Sequence, residues 1–151
     1  VPLEPGGPMQ LALAAARQAG DVGEVPVGAV VVDAAGEVLA VAHNEVEARS
    51  DPTAHAEILA LREAGRRRGT PRLTDCDLYV TLEPCPMCAQ AIAFARIRRL
   101  YFAAADPKGG GVEHGARVFA ASSCHHRPEV IGGIRETEAA ALLRDFFAAR
   151  R

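Results

Sequence analysis

Apolar positions along this chain alternate between short unbroken runs and helical stripes, separated by glycine, proline and charged residues. Residues 9–20 (MQLALAAARQAG) put Leu11, Ala14, Ala15 and Ala19 on one face and stop at a glycine, which predicts a first helix. Residues 27–32 form a continuous valine-rich run, followed by the turn Asp33-Ala34-Ala35-Gly36 and a second apolar run over 38–42; the pair predicts a buried β-hairpin. A polar stretch over 44–52 leads to residues 53–65, where Ala56, Leu59, Ala60 and Glu63 recur at helical spacing before Arg66-Arg67-Arg68-Gly69 breaks the pattern. That predicts a second helix. Residues 78–82 predict a strand, and Pro84-Cys85-Pro86-Met87-Cys88 opens a third helix running to about Arg96. A further strand over 100–103, a glycine-rich loop at 109–111, a weaker segment over 112–121, a short strand at 129–131 and a closing helix over 137–151 complete the pattern. Strands alternating with helices at this spacing predict an α/β domain with a sheet of about five strands flanked by helices, mixed because it opens with a hairpin.

A chain of 151 residues is one domain's worth, and a 49% hydrophobic content supplies a core without disulfide staples. Residues 1–8, rich in glycine and proline and without period, are set apart as native lead-in or an added segment, leaving 9–151 as a single domain. Neither a membrane-spanning run nor a secretory signal is read in the sequence, so the expectation is a cytoplasmic protein with no membrane partner. A net charge of −2 argues against a uniformly basic coat for nucleic acid. The basic side nevertheless consists of sixteen arginines, several of them clustered, and one lysine, Lys108, so local patches stay open. The same arginine bias, with thirty alanines, is what a GC-rich genome produces.

Cys85 and Cys88 form C-x-x-C at the third predicted helix start, while Cys76 and Cys124 stand apart. In a reducing compartment these are not read as disulfides, and C-x-x-C alone is compatible with a redox pair, half of a structural zinc site or coincidence. His55-Ala56-Glu57, at the second helix start, sharpens the choice. Two helix starts meeting at the ends of adjacent strands bring one imidazole and two thiolates together, and three protein ligands leave zinc one open position, the arrangement of a catalytic site. The positive end of the helix dipole at Cys85 favours a thiolate. Glu57 is too close to His55 to be a convenient second ligand, yet within reach of a metal-held water, which suits a proton carrier. The plain alternative for Glu57 is an exposed first-turn glutamate favoured by the dipole.

His55-Ala56-Glu57 followed by Pro84-Cys85-Pro86-Met87-Cys88 resembles the H-x-E…P-C-x-x-C signature of the zinc-dependent nucleobase deaminases, the cytidine/deoxycytidylate deaminase superfamily. Across nearly the whole chain the resemblance narrows to the bacterial tRNA-specific adenosine deaminases, on EVPVGAV at 24–30, DPTAHAEI at 51–58, LYVTLEPC at 78–85, Ala95-Arg96-Ile97 and LLRDFF at 142–147. It implies a three-layer α/β/α cytidine-deaminase-like fold, a homodimer, and one Zn2+ per subunit on His55, Cys85 and Cys88 with Glu57 as the catalytic proton carrier. The implied reaction is hydrolytic deamination of the wobble adenosine of an arginine tRNA to inosine, the base being splayed out of the anticodon loop.

By position the resemblance also implies that Asn44 contacts the base, that Ala56 offers it a backbone N–H, and that Asp106 and Lys108 line the anticodon groove. Asn44 and Asp106 each also read as ordinary turn residues. The family uses its last helix against tRNA, which makes Phe147, Arg150 and Arg151 candidate RNA contacts; His126 and Arg127 are others. The arginines at 66–68 and 96–99 read either as solvated faces or as phosphate contacts. Pro-Cys-Pro-Met-Cys also occurs in guanine deaminases, so a guanine, cytosine or nucleoside deaminase acting on a free base or nucleoside is the alternative. Glu57 argues against a zinc-stabilised binding module, which needs a fourth ligand and no proton carrier.

Overall fold

In the computed structural model, which describes residues 7–150, the chain order is α1 (Gly7–Asp21), β1 (Gly28–Val32), β2 (Val38–His43), α2 (Val46–Arg49), α3 (Ala56–Arg68), β3 (Asp77–Leu82), α4 (Pro86–Phe94), β4 (Arg99–Ala104), a 3-10 turn at Val118–Ala120, β5 (Glu129–Ile131) and α5 (Glu136–Ala148). All five residues of β1 are buried, so both of its faces must be covered. Side-chain alternation shows how. Ala29 and Val31 enter one apolar cluster with Leu78, Val80, Leu100 and Phe102, closed by alanines of α3 and by Ala89, Ile92 and Ala93 of α4. Val30 and Val32 enter a second cluster with Ala103, closed by Met9 and Leu13 of α1 and Ala139 of α5. The result is the three-layer α/β/α arrangement, around a sheet ordered β2-β1-β3-β4-β5. It is mixed: β1 runs antiparallel to β2 and β3, while β3, β4 and β5 are parallel.

The structure shifts several predicted boundaries. Helix α1 starts at Gly7 and buries Pro8, since proline at a helix start sacrifices no hydrogen bond; residues 1–6 of the lead-in lie outside the described residues. Its buried face is Met9, Ala12, Leu13, Ala15, Ala16 and Ala19, so Ala15 and Ala19 of the expected face are covered, while Leu11 is only partly covered and Ala14 is exposed. An alanine-rich helix has no unique stripe, and the bulk of Met9 and Leu13 decides it. The polar stretch 44–52 contains the short helix α2. Helix α3 begins later than the periodicity predicts because Asp51 ties down the preceding turn, accepting from the Thr53 backbone N–H at 2.8 Å and from its hydroxyl at 2.7 Å. It then runs through the arginine triplet to Gly69, which takes the left-handed conformation at φ 69°. Its stripe ends on Ala64, leaving Glu63 to pair with Arg66 at 2.5 Å. Helix α4 is shorter than the reading to Arg96, and the weak segment 112–121 makes only the 3-10 turn. The closing helix ends at Ala148, and Arg151 lies outside the described residues.

One glycine sets how α1 seats on the sheet. A Cβ on Gly28 would lie 2.0 Å from the Ala12 carbonyl oxygen and 2.8 Å from the Ala16 nitrogen, so helix backbone and strand backbone touch there. The Gly28 N–H donates to the buried Thr81 hydroxyl at 3.1 Å. Gly28→Ala is expected to destabilise by about 3 kcal/mol, a fall of roughly 6–12 °C in the thermal melting midpoint, because the clash is with backbone that cannot rotate away.

Candidate active site

The site lies at the carboxyl ends of β2, β3 and β4, where an open α/β sheet leaves a crevice between the elements that cover its faces. His55 is the residue capping the start of α3, with extended backbone at φ −74°, ψ 152°, and Cys85 caps the start of α4 at φ −70°, ψ 171°. Pro86 follows Cys85 as the first helical residue, where its fixed φ and missing N–H suit a helix start. Cys88 then sits three positions further on, on the same face as Cys85. The ring Nδ1 of His55 is thereby 3.6 Å from the Cys85 sulfur and 3.5 Å from the Cys88 sulfur.

Those spacings fit a zinc ion. Zn–S of about 2.3 Å and Zn–N of about 2.05 Å at a tetrahedral angle require an S···N separation of about 3.6 Å. The three ligand atoms all lie within 4.8 Å of one another, and no other such cluster of three occurs among the described residues. In particular, Cys124 is buried with its thiol donating to the His126 carbonyl at 3.1 Å, so the Cys124-His125-His126 run assembles no second set. Cys85 is held down to about 4, chiefly by the hydrogen bond from Cys88 and also by His55. Cys88 is pushed up by the same hydrogen bond and by burial, and His55 is raised, chiefly by its contact with Cys85. A divalent cation taking these three groups as ligands displaces the protons they carry.

Glu57 occupies the first turn of α3 and is 4% exposed, so the solvated alternative does not hold. Burial pushes its carboxyl up to about 7, with the Cys85 charge adding to the rise. It opens onto a cavity of about 610 Å³ together with His55, Cys85 and Asn44. The walls include Val25 and Val27, Leu82, Asp106, Gly109, Phe146 and Arg150. This volume falls within the range of about 300–1,000 Å³ common for small-molecule sites.

The remaining candidates divide clearly. The Asn44 side chain spans the loop: its Oδ1 accepts the Ala56 N–H at 2.8 Å and its Nδ2 donates to the Val25 carbonyl at 3.2 Å. Ala56 is fully buried and its amide is already engaged, so what it supplies is the orientation of Asn44. Asp106 lines the cavity, and its Oδ1 accepts the backbone N–H groups of Lys108 and Gly109 at 3.2 and 2.9 Å. Lys108 is exposed on the same loop and is not among the lining residues. Arg150 lines the cavity with its guanidinium 3.5 Å above the Phe146 ring, while Phe147 is 46% exposed and meets Phe146 edge-on. His126 and Arg127 are elsewhere: the His126 ring contacts the Ile97 carbonyl at 2.7 Å, and Arg127 donates to the Phe119 carbonyl in a separate groove.

Of the neighbours Phe146 and Phe147 it is Phe146 that lines the cavity, since helical phase at a chain end is set by packing, and two further wall residues, Glu24 and Glu83, are not singled out by the sequence. Glu24 is buried, and its carboxylate caps α2 by accepting the Glu47 and Ala48 amides at 3.1 and 2.8 Å. Glu83 is also buried, its carboxylate surrounded by donors from the 106–114 loop. Both acids stand inside conspicuous motifs, but nothing in spacing says which way a glutamate turns.

A family model described as the cytidine and deoxycytidylate deaminase zinc-binding region matches residues 7–104. The chain is 54% identical over 143 residues to a tRNA-specific adenosine deaminase of Agrobacterium fabrum, covering 95% of this chain and 93% of that one. It superposes with a TM-score of 0.88 and 54% identity on a structure from work on A-to-I editing by tRNA:A34 deaminases at the wobble position of transfer RNA, covering 90% of this chain and 98% of that one. A guanine deaminase of Nitrosomonas europaea gives a TM-score of 0.84 at 26% identity, covering 98% of this chain and 87% of that one. Cys85→Ser and Cys88→Ser are each expected to take the zinc content of chelator-washed protein from about one per chain to well below it, read by elemental analysis. Motif, ligand geometry and overall likeness agree that the chain belongs to the cytidine and deoxycytidylate deaminase zinc-binding family.

Proposed function

We propose that this protein is a tRNA-specific adenosine deaminase, a zinc-dependent hydrolase that converts the wobble adenosine of an arginine tRNA to inosine. The observation that carries the chemistry is a buried carboxyl, that of Glu57, opening onto the same cavity as a three-ligand metal set. The tRNA arm is supported by the extent of likeness to relatives that carry that name. When bound, zinc acidifies a water towards a pKa of about 7 and so supplies the nucleophile for carbon 6 of the purine. Glu57 takes the proton that the attacking water gives up and passes it to ring nitrogen 1, then carries the remaining hydroxyl proton from carbon 6 to the amine, which leaves as ammonia. Adenosine and water thus give inosine and ammonia. Asn44, held from both ends by backbone, is placed to fix the base, and Phe146 with the valine walls keeps bulk water from it.

The reading includes a second copy of the chain, covering the face shared by α3 and α4. There Phe94 is 72% exposed beside Ile58, Leu61, Pro71 and Ala91. Apolar surface of this kind is a feature of interfaces. No described helix is long and apolar enough to cross a membrane, and the cytoplasmic location is part of the proposal because it follows from the substrate.

The zinc-loaded protein is expected to form inosine on an anticodon stem-loop with adenosine at the wobble position and to release no ammonia from free guanine, cytosine or adenosine. The reverse result would move the protein to the free-base deaminases, the reading that the guanine deaminase likeness favours. Glu57→Gln is expected to keep its zinc and lose roughly 10²–10⁴-fold in turnover; loss of the metal, or retained activity, contradicts the role of proton carrier. Phe94→Glu is expected to halve the solution mass measured by light scattering.

A further inference from the structure

Glu83 follows the last residue of β3 and precedes the metal-binding turn, with its own N–H still paired to the Ala104 carbonyl at 2.8 Å. Its side chain is sealed from solvent, and every one of its close partners comes from one loop. Oε1 accepts the Asp106 N–H at 3.0 Å and meets the His114 Nδ1 at 2.7 Å. Oε2 accepts three successive amides, Val112 at 3.2 Å, Glu113 at 2.9 Å and His114 at 3.0 Å. The loop is wound about this carboxylate with no space to spare. A Cβ on Gly110 would lie 2.5 Å from Oε2, and one on Gly111 would lie 2.5 Å from the Pro86 nitrogen, beside the turn that carries Cys85. The Gly111 N–H also donates to the Pro84 carbonyl at 2.8 Å. The loop's other end, Asp106 with Gly109, is wall of the cavity.

We infer that Glu83 is a positioning residue for the RNA substrate: its buried carboxylate holds the 106–114 loop so that the Asp106–Gly109 wall stands formed at the metal cavity before RNA arrives. The inference rests on the functional reading above. A wall that is ordered in advance binds without an ordering cost, whereas a loop in the competent arrangement only a tenth of the time weakens apparent affinity about tenfold. His55 and Glu57 stand at the start of α3 and Cys85 and Cys88 at the start of α4, none of them in this loop, and the loop's cavity wall is the Asp106–Gly109 end rather than Gly111 at the Cys85 turn, so the effect is read in binding before the chemical step.

Two variants test it. Glu83→Gln keeps the shape but replaces one acceptor oxygen with a donor facing backbone N–H groups, and Gly110→Ala pushes the loop off the carboxylate while leaving Glu83 intact. For both, KM for the anticodon stem-loop, and Kd for it in the Glu57→Gln background, are expected to rise about tenfold or more. Zinc content is expected to stay at that of the parent and kcat within about threefold, while hydrogen exchange at the amides of residues 106 and 112–114 speeds up without RNA. Unchanged KM and Kd in both variants overturns the proposal, as does a fall in kcat at unchanged KM or a loss of zinc, either of which would put the role of Glu83 at the Cys85 turn. If Glu83→Gln does not fold, Gly110→Ala decides by the same readings. A parent enzyme that neither binds nor deaminates the stem-loop overturns the tRNA reading and this proposal together, whereas an active parent with indifferent variants overturns the proposal alone.

Discussion

The approach of the His55 ring to two sulfurs, at 3.6 and 3.5 Å, is the contact on which the cavity depends, because it joins the starts of two helices that belong to different parts of the chain. Helix α4 follows directly on β3, whereas α3 is reached from β2 through α2, so ligand geometry is inherited from strand register, from the 44–55 connection and from how closely the helices approach the sheet. Small side chains make that approach close: Ala56, Ala60, Ala89 and Ala93 are all in the core beneath α3 and α4. The arrangement of the three candidate ligands is therefore a consequence of packing as much as of residue identity.

Three buried glutamates surround the same cavity and behave differently for a reason that can be read from their partners. Glu24 and Glu83 face backbone amides, and both are spent on holding loops. For Glu83, burial works to raise the carboxyl, but the amides of Asp106, His114 and Glu113 with the His114 ring outweigh it and keep it below the usual range. Glu57 has burial without such a set of backbone donors, and its carboxyl is pushed up, to about 7, where that of Glu83 is held down. Environment thus suits one acid to the proton transfer proposed for it and spends another on architecture, with the same side chain in each place.

The arginine-rich composition is likewise resolved by partners. Of the triplet after α3's apolar stripe, Arg66 pairs with Glu63, Arg67 donates to the Leu39 carbonyl on the edge strand at 2.7 Å, and Arg68 pairs with Asp75 at 2.9 Å. Arg98 holds Asp77 through two hydrogen bonds at 3.0 and 2.9 Å, and Arg99 meets Glu129 at 3.1 Å, tying together the starts of the parallel strands. These positions are engaged in the fold itself. Among the described residues, Arg150, stacked on Phe146, is the arginine that lines the cavity.

Strand and helix periods, the turn at Asp33-Gly36 and the H-x-E and C-x-x-C spacings are local properties, so the sequence by itself determined the α/β class, a mixed five-stranded sheet and the His55, Cys85 and Cys88 set that could hold a metal ion, with Glu57 beside it. Element bounds were legible only approximately, because an alanine-rich helix such as α1 offers several faces and packing against Gly28 selects one. Contacts between residues far apart in the chain were decided by the tertiary structure alone. The Ala56 amide, expected to be offered to the base, is taken by Asn44; Phe146 rather than Phe147 faces the cavity; and His126 is turned to the Ile97 carbonyl. Glu83 shows the division most sharply, since its donors lie 23 to 31 positions away in the chain and their convergence on one carboxylate exists only once β3 and β4 have paired and the loop has folded back over them.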